Sequence, residues 1–171
     1  SSIPKIISAN NKKSINIMNS FYKLIFDKTF ITSSIEVAEM SKLLENSYRS
    51  VNIGLVNEFK ILCSRNNLNI HEVIDAASTK PFGFRPFKPG PGVGGHCIPI
   101  DPLFLSWYAK KKNISADFVE LARKKNLNIT KWILEKVLKI FNGIKKRKNR
   151  ILIIGLAYKE DINDIRESPS I

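Results

Sequence analysis

The segment Pro89-Gly90-Pro91-Gly92-Val93-Gly94-Gly95-His96-Cys97-Ile98-Pro99-Ile100-Asp101-Pro102 joins a thiol and a carboxylate to a backbone with little side-chain bulk. A cysteine at the end of such a loop suits covalent catalysis. The thiolate is the attacking form, and nearby backbone N–H groups can receive a developing oxyanion. The opposing reading is an inert packed thiol, a common fate of cysteines. Cys63, the other of the two cysteines, falls in helical periodicity and reads as core. His96 adjoins Cys97, but neighbouring side chains tend to diverge, which argues against a Cys–His dyad. Gly90, Gly92 and Gly95 match G-x-G-x-x-G only formally. A dinucleotide loop needs a strand before it and a helix opening at it, whereas a Pro-rich stretch precedes this one and Pro91 interrupts it.

Two other groups could join this chemistry. Lys42, Asn46 and Arg49 stand at i, i+4 and i+7, on one face of a helix. A solvated polar face is the usual account of such a set. Asn, however, is a poor helix former, so Asn46, Asn52 and Asn57 attract more notice than lysines would. Further on, Gly155-Leu156-Ala157-Tyr158-Lys159 leads to Asp164-Ile165-Arg166-Glu167-Ser168-Pro169. A strand running into a Gly loop is where α/β domains bind ligands, and Lys159 and Arg166 suit phosphates.

The elements that must position these groups follow from periodicity. Lys5–Ser8 and Thr29–Thr32 read as strands around a helix over Lys12–Ile25, with Ile15, Met18, Tyr22 and Ile25 on one side. Ser33 and Glu36 form a capping box for a long helix. Along it Val37, Met40, Leu44, Tyr48, Val51, Leu55, Phe59 and Leu62 recur at spacings of three and four. That stripe fits a dimer seam or a core within one subunit equally well. Asn66 and Asn67 end the helix, and Ile70–Ala77 forms a short one. Pro81–Pro102 reads as a long ordered loop in which Phe82, Phe84 and Phe87 are interleaved. Helices over Leu103–Lys111 and Asp117–Phe141 follow. Lys145–Arg150 reads as a solvated basic linker, and Ile151–Ile154 as a buried strand.

The 171 residues carry a formal charge of +13 and are 43% hydrophobic, an ordinary globular composition. Solvated lysines, attraction to an anionic small molecule and nucleic-acid binding compete to explain the charge, and no nucleic-acid motif accompanies it. No run approaches the roughly 18 apolar residues of a membrane helix. Two cysteines and two histidines make a structural metal site improbable, and cysteine usage points to a reducing cytoplasm. The start at Ser-Ser-Ile-Pro and the end just after a strand-like segment give the expectation of a piece of a longer protein.

Three segments together resemble the UDP-glucose/GDP-mannose dehydrogenase family. They are Ala38-Glu39-Met40-Ser41-Lys42-Leu43-Leu44-Glu45-Asn46, then Gly94-Gly95-His96-Cys97-Ile98-Pro99-Ile100-Asp101, then Gly155-Leu156-Ala157-Tyr158-Lys159 with Asp164 and Arg166-Glu167-Ser168-Pro169-Ser170. Lys80-Pro81-Phe82-Gly83-Phe84 looks most like the branch acting on UDP-N-acetylglucosamine. Ile100 stands where the UDP-glucose branch has Lys.

The resemblance implies a mainly α central dimerisation domain (34–145) with a long core helix. It would be flanked by partial α/β Rossmann-like pieces, the tail of an NAD-binding domain (1–33) and the start of a UDP-binding domain (146–171). It implies NAD-dependent, four-electron oxidation of a UDP-sugar C6 alcohol to a carboxylate, making precursors of surface polysaccharide in the cytoplasm, by a homodimer. Cys97 would be the nucleophile, forming a thiohemiacetal and then a thioester and lying against NAD. Lys42 and Asn46 would stabilise the oxyanion and touch the substrate, and Asp101 would position or activate water. Arg85, Lys88, Gly90, Gly92 and Gly94 would bind the sugar nucleotide, with Tyr158 and Lys159 reaching the same ligand. Arg166 would meet the NAD pyrophosphate. The strand–Gly-loop–helix that grips NAD and the general acid/base glutamate of the family are not in these residues, so the piece is expected to be inactive alone. The rival reading is a non-enzymatic helical oligomerisation module with an inert Cys97.

Overall fold

A computed structural model describes residues 2–143, 150–157 and 159–171. Among these lie five helices and one two-stranded sheet. The chain divides into two compact units, Ser1–Glu45 and Asn46–Ile171.

In the first unit, β1 (Lys5–Ile7) and β2 (Thr29–Ile31) pair in parallel, with Ile6 opposite Phe30. Parallel neighbours cannot be joined by a tight turn, and α1 (Lys12–Lys23) supplies the crossover. The Asn11 side chain caps α1 by accepting a 2.8 Å bond from the Ser14 amide.

α2 (Ile35–Arg65) runs through both units. Its cap is Ser34, one residue later than the predicted Ser33: the Ser34 hydroxyl accepts from the Val37 amide at 3.3 Å. That leaves Glu36 one position short of the capping-box partner site, although the Ser34 contact still lowers its pKa from the ordinary carboxylate value. The far end stops where Asn66 and Asn67 predict. Asn67 takes φ of 56°, and the Leu68 amide returns to the Cys63 carbonyl at 2.9 Å. α3 (Ile70–Ser78) then packs back, and Cys63, Ile70 and Ile74 form a small buried cluster.

α4 (Cys97–Lys111) starts six residues before the predicted Leu103, so the loop preceding it ends at His96. The prolines that argued for a loop are tolerated for two reasons. Pro99 lies in the first turn, where a backbone N–H has no helical partner. Pro102 loses one bond but is fully buried.

α5 (Asp117–Gly143) packs on α4 and places Ala122, Asn126 and Ile129 inside. Beyond it the predicted strand over Ile151–Ile154 does not form. Its side chains are exposed and no described strand offers the ladder bonds that would hold it extended. The basic run over 145–149 and Tyr158 lie outside the described residues.

The long helix also reverses an expectation. Its buried residues are Asn46, Ser47, Ser50, Gly54, Asn57 and Cys63, whereas Leu44, Tyr48, Leu55, Phe59 and Leu62 stand about half exposed. The Asn46 face is therefore not a solvated polar face. No helix among the described residues is long and apolar enough to cross a membrane.

Candidate functional site around Cys97

Cys97 is exposed and is the first residue of α4. His96, before it, is helical in φ and ψ and makes no side-chain cap bond. Asp101 follows one turn later on the same helix. Its carboxylate accepts a 2.5 Å hydrogen bond from the Asn46 side-chain amide. Asn46 is only 1% exposed, and its carbonyl accepts from the Arg49 guanidinium at 3.1 Å. Both ends of the amide are thus engaged, which fixes its orientation and satisfies a polar group that burial would otherwise penalise. The structure brings together Asn46 and Asp101, two of the candidate site residues, with Arg49 of the same helix on the other end of the amide. Lys42, in the first unit, is exposed and pairs with Glu45 at 3.3 Å.

The glycine-rich loop is held at several points. The Gly90 amide donates to the Asn57 side-chain carbonyl at 3.0 Å, and the Thr130 hydroxyl donates to the Pro91 carbonyl at 2.6 Å. Gly92 takes φ of 144°. A Cβ there would lie 3.0 Å from the Thr130 hydroxyl and 3.3 Å from the Asn126 carbonyl, so the close approach needs glycine. Gly94 is buried, while Arg85 and Lys88 are exposed on the preceding stretch. The Gly95 amide donates to the Arg166 carbonyl at 3.1 Å. Asn57, Asn126 and Thr130 are the framework residues that sequence reasoning missed. The only signal was Asn57 as an unfavourable residue within a helix.

Arg166 reaches the site in two ways. Its carbonyl holds Gly95, and its guanidinium grips Asp164 with two bonds of 2.8 and 2.7 Å. Those bonds, with the one from the Arg166 amide, hold the Asp164 carboxyl down at about 2, and the charge of His96 adds to the effect. The Arg166 pKa is raised, first by Asp164 and to a smaller extent by Cys97.

Two hollows flank α4. One, of about 950 Å³, lies between α4 and α5, and the other, of about 730 Å³, is lined by Ile98, Thr130 and Pro169. None of Cys97, Asp101 and Asn46 lines either. Lys159 is exposed beside a separate shallow hollow with Gly155 and Asp161. Among the described residues no cluster of His, Cys, Asp and Glu could hold a metal ion.

Comparison with known proteins bears on these features. The pattern of the UDP-glucose/GDP-mannose dehydrogenase family, central domain, matches residues 36–128. A UDP-N-acetyl-D-mannosamine dehydrogenase of Methanococcus maripaludis is 41% identical over 97% of this chain and 38% of its own length. A UDP-N-acetyl-D-glucosamine 6-dehydrogenase of Salmonella typhi is 35% identical over 97% of this chain and 39% of its own. The solved UDP-D-ManNAc dehydrogenase of Pyrococcus horikoshii superposes with a TM-score of 0.85 at 32% identity, over 99% of this chain and 40% of that one. The chain thus spans about two fifths of the length of the relatives it matches. The match runs from the start of α2 through Cys97 and Asp101 into α5, the elements that build the site: this chain belongs to the UDP-glucose/GDP-mannose dehydrogenase family and carries its central domain.

Proposed function

We propose that this chain is the central, Cys-bearing part of an NAD-dependent dehydrogenase that oxidises the C6 alcohol of a UDP-N-acetylhexosamine to a carboxylate. Relatives named for mannosamine and for glucosamine match at similar identity, so the sugar is assigned at the level they share. The observation that carries the reading is the exposed Cys97 at the start of α4, with Asp101 one turn away and clamped by the buried amide of Asn46.

The described residues do not themselves form a dinucleotide cradle. The β1–α1 turn has the right topology but holds no glycine, and the Asn11 side chain occupies its first-turn amide. NAD would be held chiefly by other parts of the enzyme, where it accepts the two electrons of each oxidation. Arg166, whose carbonyl holds the Gly95 amide, is the cation suited to its pyrophosphate, with Asp164 orienting the fork.

The roles of this chain's residues follow from their chemistry. When the sugar is at the aldehyde level, the Cys97 sulfur bonds to C6 and the carbonyl electron pair moves onto oxygen. The Lys42 ammonium and the second N–H of Asn46 stabilise that oxyanion. Loss of hydride from C6, to the NAD that other parts of the enzyme would hold, would leave a thioester. Water then attacks, Asp101 accepts its proton, the C–S bond breaks, and the acid departs with Cys97 regenerated. The loop from Lys88 to Gly94, with Arg85, would hold the sugar nucleotide, and Tyr158 and Lys159 would meet it from the carboxy-terminal segment. The exposed apolar stripe of α2 supports a homodimer formed along this helix, which makes oligomerisation part of the enzyme reading and not its rival.

The test is Cys97→Ser. Overall oxidation to the acid by the complete enzyme should fall about a thousandfold or more, while Cys63→Ser leaves it nearly unchanged. Full activity in Cys97→Ser would refute the reading. The 171-residue chain alone should reduce no NAD.

A further inference from the structure

Asn57 and Asn126 are 1% and 3% exposed, and together they form a directional chain of amides. The Asn126 side-chain N–H donates to the Ser50 carbonyl at 2.9 Å. The Asn126 side-chain carbonyl accepts from the Asn57 N–H at 3.1 Å. The Asn57 carbonyl accepts from the Gly90 amide at 3.0 Å. Each amide is thereby locked in one orientation, because reversing either would set donor against donor or acceptor against acceptor. A turn further along α5, Thr130 ties Pro91, the next loop residue, at 2.6 Å.

Two buried asparagines would be an expensive way to join two helices if packing were their only purpose, since apolar residues of similar size join helices without polar atoms to satisfy. What the pair supplies that leucines cannot is an acceptor aimed at one backbone amide of an irregular loop. That loop has no ladder or helix of its own to hold it.

We propose that Asn57, Asn126 and Thr130 are positioning residues that set the register of the Gly90–Gly95 loop against α2 and α5, and so shape the sugar-nucleotide site. The functional half of this inference rests on the reading of the loop as substrate-binding; the mechanical half does not. The residues touch neither sulfur nor sugar and act through the loop backbone.

The experiment pairs near-isosteric variants, Thr130→Val and Thr130→Ser, and adds Asn57→Leu. Hydrogen exchange is followed on the 171-residue chain, with alkylation of Cys63 as an internal gauge of opening. KM and kcat are followed in the complete enzyme with UDP-N-acetylglucosamine and UDP-N-acetylmannosamine. Thr130→Val should speed exchange of the 90–95 amides and raise KM, each about tenfold, with kcat changed by less than about threefold. Thr130→Ser should restore both. Asn57→Leu should act in the same direction as Thr130→Val.

Unchanged loop exchange in Thr130→Val and in Asn57→Leu would overturn the proposal. So would faster exchange spread over α3 and α5 with Cys63 alkylation rising in step and KM unaltered, the signature of a merely structural role. If Cys97→Ser keeps full activity, the catalytic reading fails on its own, and loop exchange still decides whether these residues position the loop.

Discussion

The two faces of α2 are built to opposite rules. Toward α4, α5 and the glycine-rich loop the helix presents Asn46, Ser50, Gly54 and Asn57, all buried; Leu44, Tyr48, Leu55, Phe59 and Leu62 remain about half exposed or more. Within one chain, apolar residues ordinarily go inside. The inner face is specified by hydrogen bonds, each buried amide having a named partner, while the outer face leaves large apolar side chains exposed. Gly54 makes the inner contact close, since a Cβ there would lie 3.2 Å from the Ala122 carbonyl oxygen. One helix thus carries the buried polar face of the candidate site and, opposite it, the exposed stripe that the proposed homodimer would cover.

The sharpest way to break this comparison is to remove a polar group from the inner face. Asn46→Leu deprives Asp101 of its partner and, in the proposed mechanism, the oxyanion of a donor, and should lower the turnover of the complete enzyme by about a hundredfold or more. Steady-state rates within threefold of wild type would mean that the inner face is only scaffold.

The outer face is tested by charge. If the proposed homodimer forms along this stripe, Leu55→Asp should weaken self-association about ten- to a hundredfold, the worth of one buried leucine, when followed by sedimentation over a range of concentrations. The helix content of the chain should be unaltered. A smaller effect is expected where the inner face meets α5. Gly54→Val overpacks against the Ala122 backbone and should cost about 2 kcal/mol in urea unfolding.

The smallest effect concerns Asp164, whose folded-state pKa of about 2 lies below its value of about 3.9 in an unfolded chain. The sign follows from that order. The stability contributed by the Arg166 pair is present above about pH 4 and is lost as pH falls toward 2. Because the Arg166 side chain is exposed and Asp164 is only part-buried, screening keeps the contribution small. Arg166→Ala should raise the carboxyl pKa toward its unfolded value in a carbon-detected titration, the backbone amide bond keeping part of the shift, with little change in stability at neutral pH.

Several features could be read directly from residues. The β1–α1–β2 unit and the end of α2 at Asn66 and Asn67 depend on short-range patterns, and the structure places them within one or two residues. The cap moved from Ser33 to Ser34 because two adjacent serines offer the same hydroxyl, and only the path of the chain selects one. The start of α4 was hidden because Pro99 and Pro102 look like helix breakers until their positions in the first turns are known. Ile151–Ile154 looked like a strand because hydrophobicity alone cannot reveal whether a neighbouring strand exists.

What the sequence determined by itself was chemical: a thiol after a glycine-rich loop, a carboxylate four residues on, and a helix carrying Lys42 and Asn46. Those depend on residue type and on spacings within one element. Which side of α2 turns inward, that Asn46 clamps Asp101 across 55 positions of chain, and that Asn57 and Thr130 hold the loop were decided only in three dimensions. Periodicity separates two faces of a helix but does not say which has a partner; that depends on bonds between residues far apart in the chain, and no local pattern encodes them.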